Sequence, residues 1–153
     1  MTTTTSTTEK VDGATRRFNS LVAPLLRLGV PLGPMNLLTV RGRRTGLPRT
    51  TPVATFIYEG GRYVMQARPG AAWVGNARAA GEGLLGRGRR IRRVALTEVP
   101  VEERRALLRH VGQIAPKRLA RSFVDAGLIE STDPEAFVAS APTTAVFRVQ
   151  EAA

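Results

Sequence analysis

The sequence predicts a mainly β fold with flanking helices (α+β), in which six antiparallel strands form a small closed or half-closed barrel. Runs rich in β-branched and aromatic residues are joined by short glycine-containing turns, which favours antiparallel pairing. Six such runs with few helices in 153 residues favour a barrel, because closure removes exposed strand edges. With 42% hydrophobic and 23% charged residues, we expect a single domain over residues 13–153 and a disordered tail over residues 1–12.

The first predicted element is an amphipathic helix over residues 14–29. Its apolar side chains follow helical spacing, although Pro24 kinks or weakens it: Phe18, Leu21, Val22, Leu25 and Leu28. Such a basic amphipathic helix packs on the protein's own core, lies on a membrane or caps a ligand cleft.

The later elements follow from local composition. Strands are predicted over residues 36–41, 49–58, 62–67, 82–85, 91–99 and 144–149. Helices are predicted over residues 72–80, 100–112, 116–126 and 134–140. Pro52 indicates an edge or a bulge in the second strand, and His110 is expected to stabilise the end of the helix at 100–112.

Composition excludes several kinds of site. The chain has no cysteine and a single histidine, so thiolate metal sites, disulfides, cysteine nucleophiles and multi-histidine metal sites are excluded, and no metal is predicted. No run of 18 apolar residues is present, and the Thr-rich start lacks the features of a signal peptide. We therefore expect a cytoplasmic protein, with membrane association through the first helix left open.

The positive charge is concentrated in one third of the chain. The formal net charge is +11, and residues 41–93 hold twelve arginines against Glu59 and Glu82. So concentrated a field indicates an anionic partner, which is nucleic acid, an anionic membrane or a polyanionic small molecule. The alternative is a solvated, arginine-rich surface without a partner.

Residues 41–52 (RGRRTGLPRTTP) are the first candidate site. A glycine-rich turn lets backbone N–H groups approach an anion, and the arginine forks complete a cradle. The segment lacks the lysine and spacing of a P-loop and the context of a dinucleotide-binding fingerprint. An ordinary exposed hairpin turn is the alternative.

Residues 72–78 (AWVGNAR) are the second candidate. Trp73 and Asn76 are three residues apart, so on a helix they face the same side and suit a planar aromatic ligand with one amide contact. The alternative is a half-buried core tryptophan, with Asn76 at a helix end.

Residues 86–93 (GRGRRIRR) form the densest basic stretch. Alternate arginines of a β-hairpin point to opposite faces, so the whole stretch cannot form one patch. With only eight Phe, Tyr and Trp in the chain, base stacking is poorly supported, and a solvated hairpin is favoured.

The two candidate segments together carry a family resemblance. Residues 37–46 (LLTVRGRRTG), 48–53 (PRTTPV), 62–64 (RYV) and 73–76 (WVGN) resemble the deazaflavin-dependent nitroreductase family, over a region from about residue 36 to Val149. The resemblance implies a split β-barrel related to flavin-mononucleotide-binding oxidoreductases. It also implies coenzyme F-420, an 8-hydroxy-5-deazaflavin whose phospholactyl and polyglutamate tail is a polyanionic partner for the basic segment.

The resemblance also assigns cofactor contacts to particular residues. By this resemblance, the residues that bind the phosphate and tail are Arg43, Arg44, Thr45 and Arg49. The residues on the strand beside the deazaflavin ring are Thr50, Thr51, Pro52, Val53 and Ala54. The loop whose backbone faces the ring consists of Gln66, Ala67, Arg68, Pro69 and Gly70. The helix that contacts the cofactor contains Ala72, Trp73, Val74, Gly75 and Asn76.

The implied activity is hydride transfer from the reduced deazaflavin to a quinone, an activated alkene or a nitroaromatic compound. Because the cofactor carries this chemistry, no catalytic residue is assigned. Phe123, with Phe18, Leu21, Val22 and Leu25 of the first helix, is expected to wall an apolar substrate cleft, although the same residues also fit a plain core face. The loop before Trp73 is shorter than in nitroimidazole-reducing members, Val74 replaces an aromatic residue, and the C-terminal region lacks their tyrosine.

Other functions remain open at this point. The same barrel could hold flavin mononucleotide or haem, although a flavin needs a single phosphate clamp and leaves most arginines unexplained. A non-catalytic binder of a deazaflavin or fatty acyl ligand is a second alternative. A nucleic-acid-binding module is a third, disfavoured by the missing recognition-helix pattern. The oligomeric state is not predicted.

Overall fold

The structure is a computed structural model that describes residues 35–87 and 89–152. The predicted tail over residues 1–12 and the predicted helix over residues 14–29 lie outside the described residues. Among the helices of the described segments, none combines the length and apolar character needed to span a bilayer.

Six strands and four helices make up the described part of the chain. The strands are β1 (Met35–Arg41), β2 (Pro48–Tyr58), β3 (Gly61–Met65), β4 (Glu82–Arg87), β5 (Arg90–Glu98) and β6 (Val146–Glu151). The helices are α1 (Ala72–Ala80), α2 (Val101–Ile114), α3 (Lys117–Asp125) and α4 (Pro134–Ala139). Each predicted element from residue 36 onward is present, with ends displaced by no more than two residues.

The six strands close into an antiparallel barrel in the order β1-β2-β3-β6-β5-β4. Closure occurs because β1 pairs with β2 on one side and with β4 on the other. Pro52 pairs with Leu37 in an unbroken register, while the pairing of β2 with β3 begins only at Ala54. Pro52 therefore lies at a local edge of β2, and no bulge is needed. The predicted fold class is confirmed.

Two hydrophobic cores result from the alternation of side chains along the strands. One fills the barrel and is closed by α1, with buried residues that include Leu38, Val53, Val94 and Phe147. The other lies between the outer face of β2, β3 and β6 and the helices α2, α3 and α4.

Phe123 belongs to the outer core, so its prediction as a wall of the substrate cleft is wrong. Its side chain is 1% exposed and meets Phe137 edge-on at a centroid distance of 6.1 Å. The amphipathic pattern of α3 places Phe123 against the other helices, which removes it from any open cleft.

His110 joins α2 to the barrel. Because α2 continues to Ile114, His110 does not occupy the helix end predicted for it. Its Nε2–H donates to the carbonyl oxygen of Ile57 at 3.0 Å, and its ring lies 5.0 Å from that of Tyr58. The histidine therefore fixes the helix against β2.

Candidate functional site

The turn between β1 and β2 is folded tightly by its own backbone. The N–H of Gly42 donates to the carbonyl of Leu47 at 2.8 Å, and that of Gly46 donates to the carbonyl of Gly42 at 2.9 Å. Gly46 adopts a φ of +71°, a conformation that side chains other than glycine's disfavour. The turn leaves Arg43 and Arg44 exposed at one end of the barrel.

Helix α1 holds one of these arginines in place. The Oδ1 atom of Asn76 accepts hydrogen bonds from the backbone N–H of Arg43 at 3.1 Å and from its Nη1 at 2.9 Å. The same Nη1 donates to the carbonyl of Ala72 at 3.3 Å. The guanidinium lies over Gly75, where an added Cβ would come within 2.9 Å of Nη1. The absence of a side chain at position 75 therefore makes room for Arg43.

A cavity of about 400 Å³ lies between this turn and α1. Its described lining includes four arginines and no carboxylate: Gly42, Arg43, Arg44, Thr45, Arg49, Thr50, Thr51, Arg68, Ala72, Trp73 and Asn76. No carboxylate in the described ranges forms an ion pair with Arg44, Arg49 or Arg68, so their charges are available to an anionic ligand as far as these ranges extend. Clustered guanidinium forks suit a molecule with several phosphate or carboxylate groups.

Threonine hydroxyls add neutral donors and acceptors to the cavity. Thr50 shares a hydrogen bond of 2.8 Å with Thr39 on β1, and Thr45 Oγ1 accepts the backbone N–H of Leu47 at 3.2 Å. The Thr45 hydroxyl only accepts in the bond from Leu47 N–H. The hydroxyl hydrogen of Thr45 can therefore still be donated to a bound anion.

Trp73 is a core residue that borders the cavity. It is 6% exposed, and its ring lies 5.5 Å from that of Phe147 at an interplanar angle of 52°. The indole therefore closes the end of the barrel and offers only a small area to a ligand. Asn76, in mid-helix rather than at a helix end, uses its amide oxygen on Arg43.

The remaining residues assigned by resemblance do not line this cavity: Pro52, Val53, Ala54, Gln66, Ala67, Pro69, Gly70, Val74 and Gly75. The Val53 side chain lies in the barrel core and that of Ala54 in the outer core. Gln66 Nε2 donates to the carbonyl of Arg68 at 2.9 Å, and its Oε1 accepts the N–H of Ala145 at 2.9 Å. Gln66 thus fastens the loop that carries Arg68, and direct cofactor roles for these residues stay predictions.

Sequence reasoning missed one feature of the site and left another unassigned. Asn76 contacts Arg43 rather than standing free for a ligand, and Gly42, which belongs to the first candidate segment but received no cofactor role of its own, lines the cavity. The motifs that carry these two residues were both noticed, but nothing in the sequence places one against the other. Within the described ranges, no group of three or more His, Cys, Asp and Glu is arranged to hold a metal ion.

A barrel closed by α1, with an arginine-rich cavity beside that helix, suits a ligand with several anionic groups. Residues 10–125 match the family model described as F420H2-dependent quinone reductase, which covers more than half of the chain. The chain belongs to this family. The match confirms the predicted deazaflavin-reductase relationship, the oxidoreductase class and the use of coenzyme F-420. No curated protein matches the sequence.

Several solved structures are similar to the chain. A protein of unknown function from Agrobacterium tumefaciens is 14% identical with a TM-score of 0.48, and the match covers 77% of this chain and 48% of that protein. An F420-H2 dependent reductase, FDR-A, is 19% identical with a TM-score of 0.46, over 77% and 95% of the two chains. A NimC/NimA family protein from Clostridium acetobutylicum is 14% identical with a TM-score of 0.43, over 75% and 72%.

Proposed function

We propose that this protein transfers a hydride from reduced coenzyme F-420 to an electrophilic organic acceptor, and that the acceptor is a quinone. The observation that carries the proposal is the cavity beside α1, whose described lining has four arginines and no carboxylate. Such a cavity fits the phosphate and glutamate groups of the cofactor tail, because guanidinium forks pair with both.

The arginines divide into two roles in this proposal. Arg44, Arg49 and Arg68 bind the anionic tail directly. Arg43 is fixed by Asn76 and Ala72, so its remaining N–H groups are presented in one orientation. A preoriented guanidinium loses less side-chain entropy on binding than a free one.

When bound, the reduced cofactor supplies the hydride from C5 of its ring. The chain itself binds, orients and shields the reacting groups. Among the residues described around the cavity there is no carboxylate or histidine, so the proposal gives these residues binding roles and assigns them no proton transfer.

The choice of a quinone rests on the family name and on the sequence. Tyr58 and Tyr63 are the only tyrosines, and both lie on strands of the barrel. The C-terminal tyrosine that nitroimidazole-reducing members place beside their substrate is therefore missing. Activated alkenes and nitroaromatics remain as slower acceptors in this proposal. A cleft wall formed by Phe18, Leu21, Val22 and Leu25 stays a prediction that lies outside the described residues.

An acceptor screen tests the proposal. Enzymatically reduced F-420 is incubated with the protein and a quinone, an enone or a nitroaromatic compound, and reoxidation is followed by absorbance. We expect fastest reoxidation with the quinone, and at least tenfold slower reoxidation by the Arg44→Gln/Arg49→Gln variant at subsaturating cofactor.

Two results would contradict the proposed activity. Binding of F-420 with no turnover of any acceptor would indicate a non-catalytic carrier. Reduction that proceeds with flavin mononucleotide and not with F-420 would indicate a flavin enzyme in the same barrel.

A control variant that removes two exposed helix arginines, Arg105→Gln/Arg121→Gln, should keep the wild-type rate.

A further inference from the structure

The opposite end of the barrel holds a second, larger cavity of about 570 Å³. It lies where β1 begins, where the β2–β3 and β4–β5 hairpins turn, and where β6 ends. Asn36 borders this cavity and Gly42 borders the cofactor cavity. At about 3.3 Å per strand residue, these two ends of β1 are about 20 Å apart. We call the second cavity the arginine mouth, after Arg62, Arg87, Arg90, Arg92 and Arg148, which line it with Glu151.

The strand pleat aims several of these arginines at the barrel end. Leu85 on β4 and Val94 on β5 belong to the core inside the barrel. Arg87 and Arg92 stand two residues away on the same strands and therefore on the same face, at the rim. Leu85 and Val94 also line the mouth, so the cavity has an apolar floor beneath a ring of guanidinium groups.

Carboxylates are few among the described residues at this rim. Arg87 lies directly opposite Arg90 across the β4–β5 hairpin, and its Nε donates to Asn36 Oδ1 at 3.3 Å. Among the described lining residues Glu151 is the one carboxylate, and it pairs with Arg92. Arg62, Arg90 and Arg148 form no ion pair with any carboxylate of the described ranges.

On the outer face of the same hairpin, an arginine has a carboxylate partner. Arg93 is next to Arg92 but points outward, and it pairs with Glu82 at 3.5 Å. Within the described ranges, Arg93 therefore has a carboxylate partner, whereas Arg62 and Arg90 of the mouth have none. A bound anion would balance the charge of these two guanidinium groups.

The cofactor does not account for this second group of arginines. Arg44, Arg49 and Arg68 of the basic segment lie at the cofactor end, whereas Arg62, Arg87 and Arg90 lie at the mouth. The two groups are separated by about the length of the barrel, so a cofactor tail bound at the cavity beside α1 does not account for the arginines of the mouth.

We propose that the arginine mouth binds a small oligoanion that carries two or more phosphate groups. Inward-facing arginines of β3, β4 and β5 line the cavity, so a ligand with several phosphates contacts more than one strand. Among the described residues, no aromatic side chain lines the mouth for base stacking. These features favour a compact ligand over a nucleic-acid strand.

Titration calorimetry with inorganic tripolyphosphate at low ionic strength tests the proposal. All proteins are full length and carry Arg44→Gln/Arg49→Gln, which suppresses uptake of the probe at the cofactor end. We expect Arg62→Gln/Arg90→Gln to weaken binding at least tenfold relative to Arg105→Gln/Arg121→Gln, which removes the same charge from exposed helix positions. A smaller difference overturns the proposal, as does absence of binding by the control.

Glu151→Gln provides a variant of opposite sign. It removes the one carboxylate of the lining and releases Arg92, so tripolyphosphate should bind several-fold more tightly. If Glu151→Gln has the wild-type Tm and binds tripolyphosphate no more tightly than the parent protein, the result counts against an anion site in the arginine mouth.

Vesicles distinguish a free oligophosphate from a lipid surface. The full-length protein is sedimented with phosphatidylcholine vesicles that contain phosphatidylglycerol. We expect tripolyphosphate binding to depend on Arg62 and Arg90, and vesicle binding to be no weaker in the mouth variant than in the matched control. If the mouth variant loses vesicle binding and the control shows no tripolyphosphate binding, the mouth is a membrane-docking surface and the proposal is wrong.

Discussion

Asn76 Oδ1 accepts hydrogen bonds from both the backbone and the guanidinium of Arg43, at 3.1 and 2.9 Å. The contact joins α1 to the β1–β2 turn across 33 residues of sequence. This contact links the two segments, the β1–β2 turn and α1, to which the family resemblance assigned cofactor binding. A change in α1 is therefore expected to alter cofactor binding through Arg43.

Replacing Asn76 with alanine should weaken F-420 binding about tenfold, because Arg43 loses both hydrogen bonds to this side chain. The dissociation constant for the oxidised cofactor, followed by its fluorescence, is the measurement. A double-mutant cycle with Arg43→Ala should give a total effect well below the sum of the single effects, since both changes remove one contact. Additive effects would show that Asn76 and Arg43 act independently.

Gly75→Ala should separate stability from binding. Alanine raises helix propensity by about 1 kcal/mol over glycine in mid-helix. Its Cβ would lie 2.9 Å from Arg43 Nη1, and the flexible end of Arg43 has to move. We expect an unchanged or raised Tm with F-420 affinity lowered several-fold. A variant with wild-type affinity would show that the position of Arg43 does not matter to the cofactor.

The distribution of the arginines between the two ends of the barrel could be predicted from the sequence only in part. Strand composition predicted all six strands, and pleat alternation predicted that residues 86–93 would not form one patch. However, Arg62 on β3 lines the same cavity as Arg90 on β5 only because the barrel closes. Non-local pairing of this kind leaves no periodicity in the sequence. The Arg43–Asn76 contact was invisible for the same reason.

Acid should weaken a second contact, on the other side of α1. Arg78 donates to both carboxylate oxygens of Glu98, at 2.8 and 2.6 Å, and the buried Arg104 donates to Oε2 at 3.0 Å. The hydrogen bonds from Arg78, followed by its charge and that of Arg104, hold the pKa of Glu98 below its ordinary value of 4.5. The stabilisation is therefore complete above about pH 5 and is lost as the pH falls through the lowered pKa.

Glu98→Gln should accordingly lower the free energy of unfolding at pH 7 by about 1–3 kcal/mol. Its difference from the wild type should shrink as the pH falls below 4.5. Urea unfolding at a series of pH values is the measurement, with Glu135→Gln as a control because Glu135 is 77% exposed. A constant difference at all pH values would show that the ionised Glu98 contributes nothing.

Trp73→Ala should lower the free energy of unfolding by about 3–5 kcal/mol, because the indole is 6% exposed and packs on Phe147 in the barrel. Trp73→Phe keeps an aromatic ring there and should lose less than half of that amount. Chemical denaturation measures both variants. A loss below 1 kcal/mol for the alanine variant would rule out the role of Trp73 in closing the barrel.

The salt dependence of F-420 binding tests most directly whether the cavity beside α1 holds the cofactor tail. Affinities for the oxidised cofactor are compared at low and high salt for the wild type, Arg44→Gln/Arg49→Gln and Arg62→Gln/Arg90→Gln. The first variant should bind at least tenfold more weakly at low salt with a flatter salt dependence, while the second stays within about threefold of the wild type. Equal losses in the two variants, or wild-type binding by Arg44→Gln/Arg49→Gln, would contradict the account.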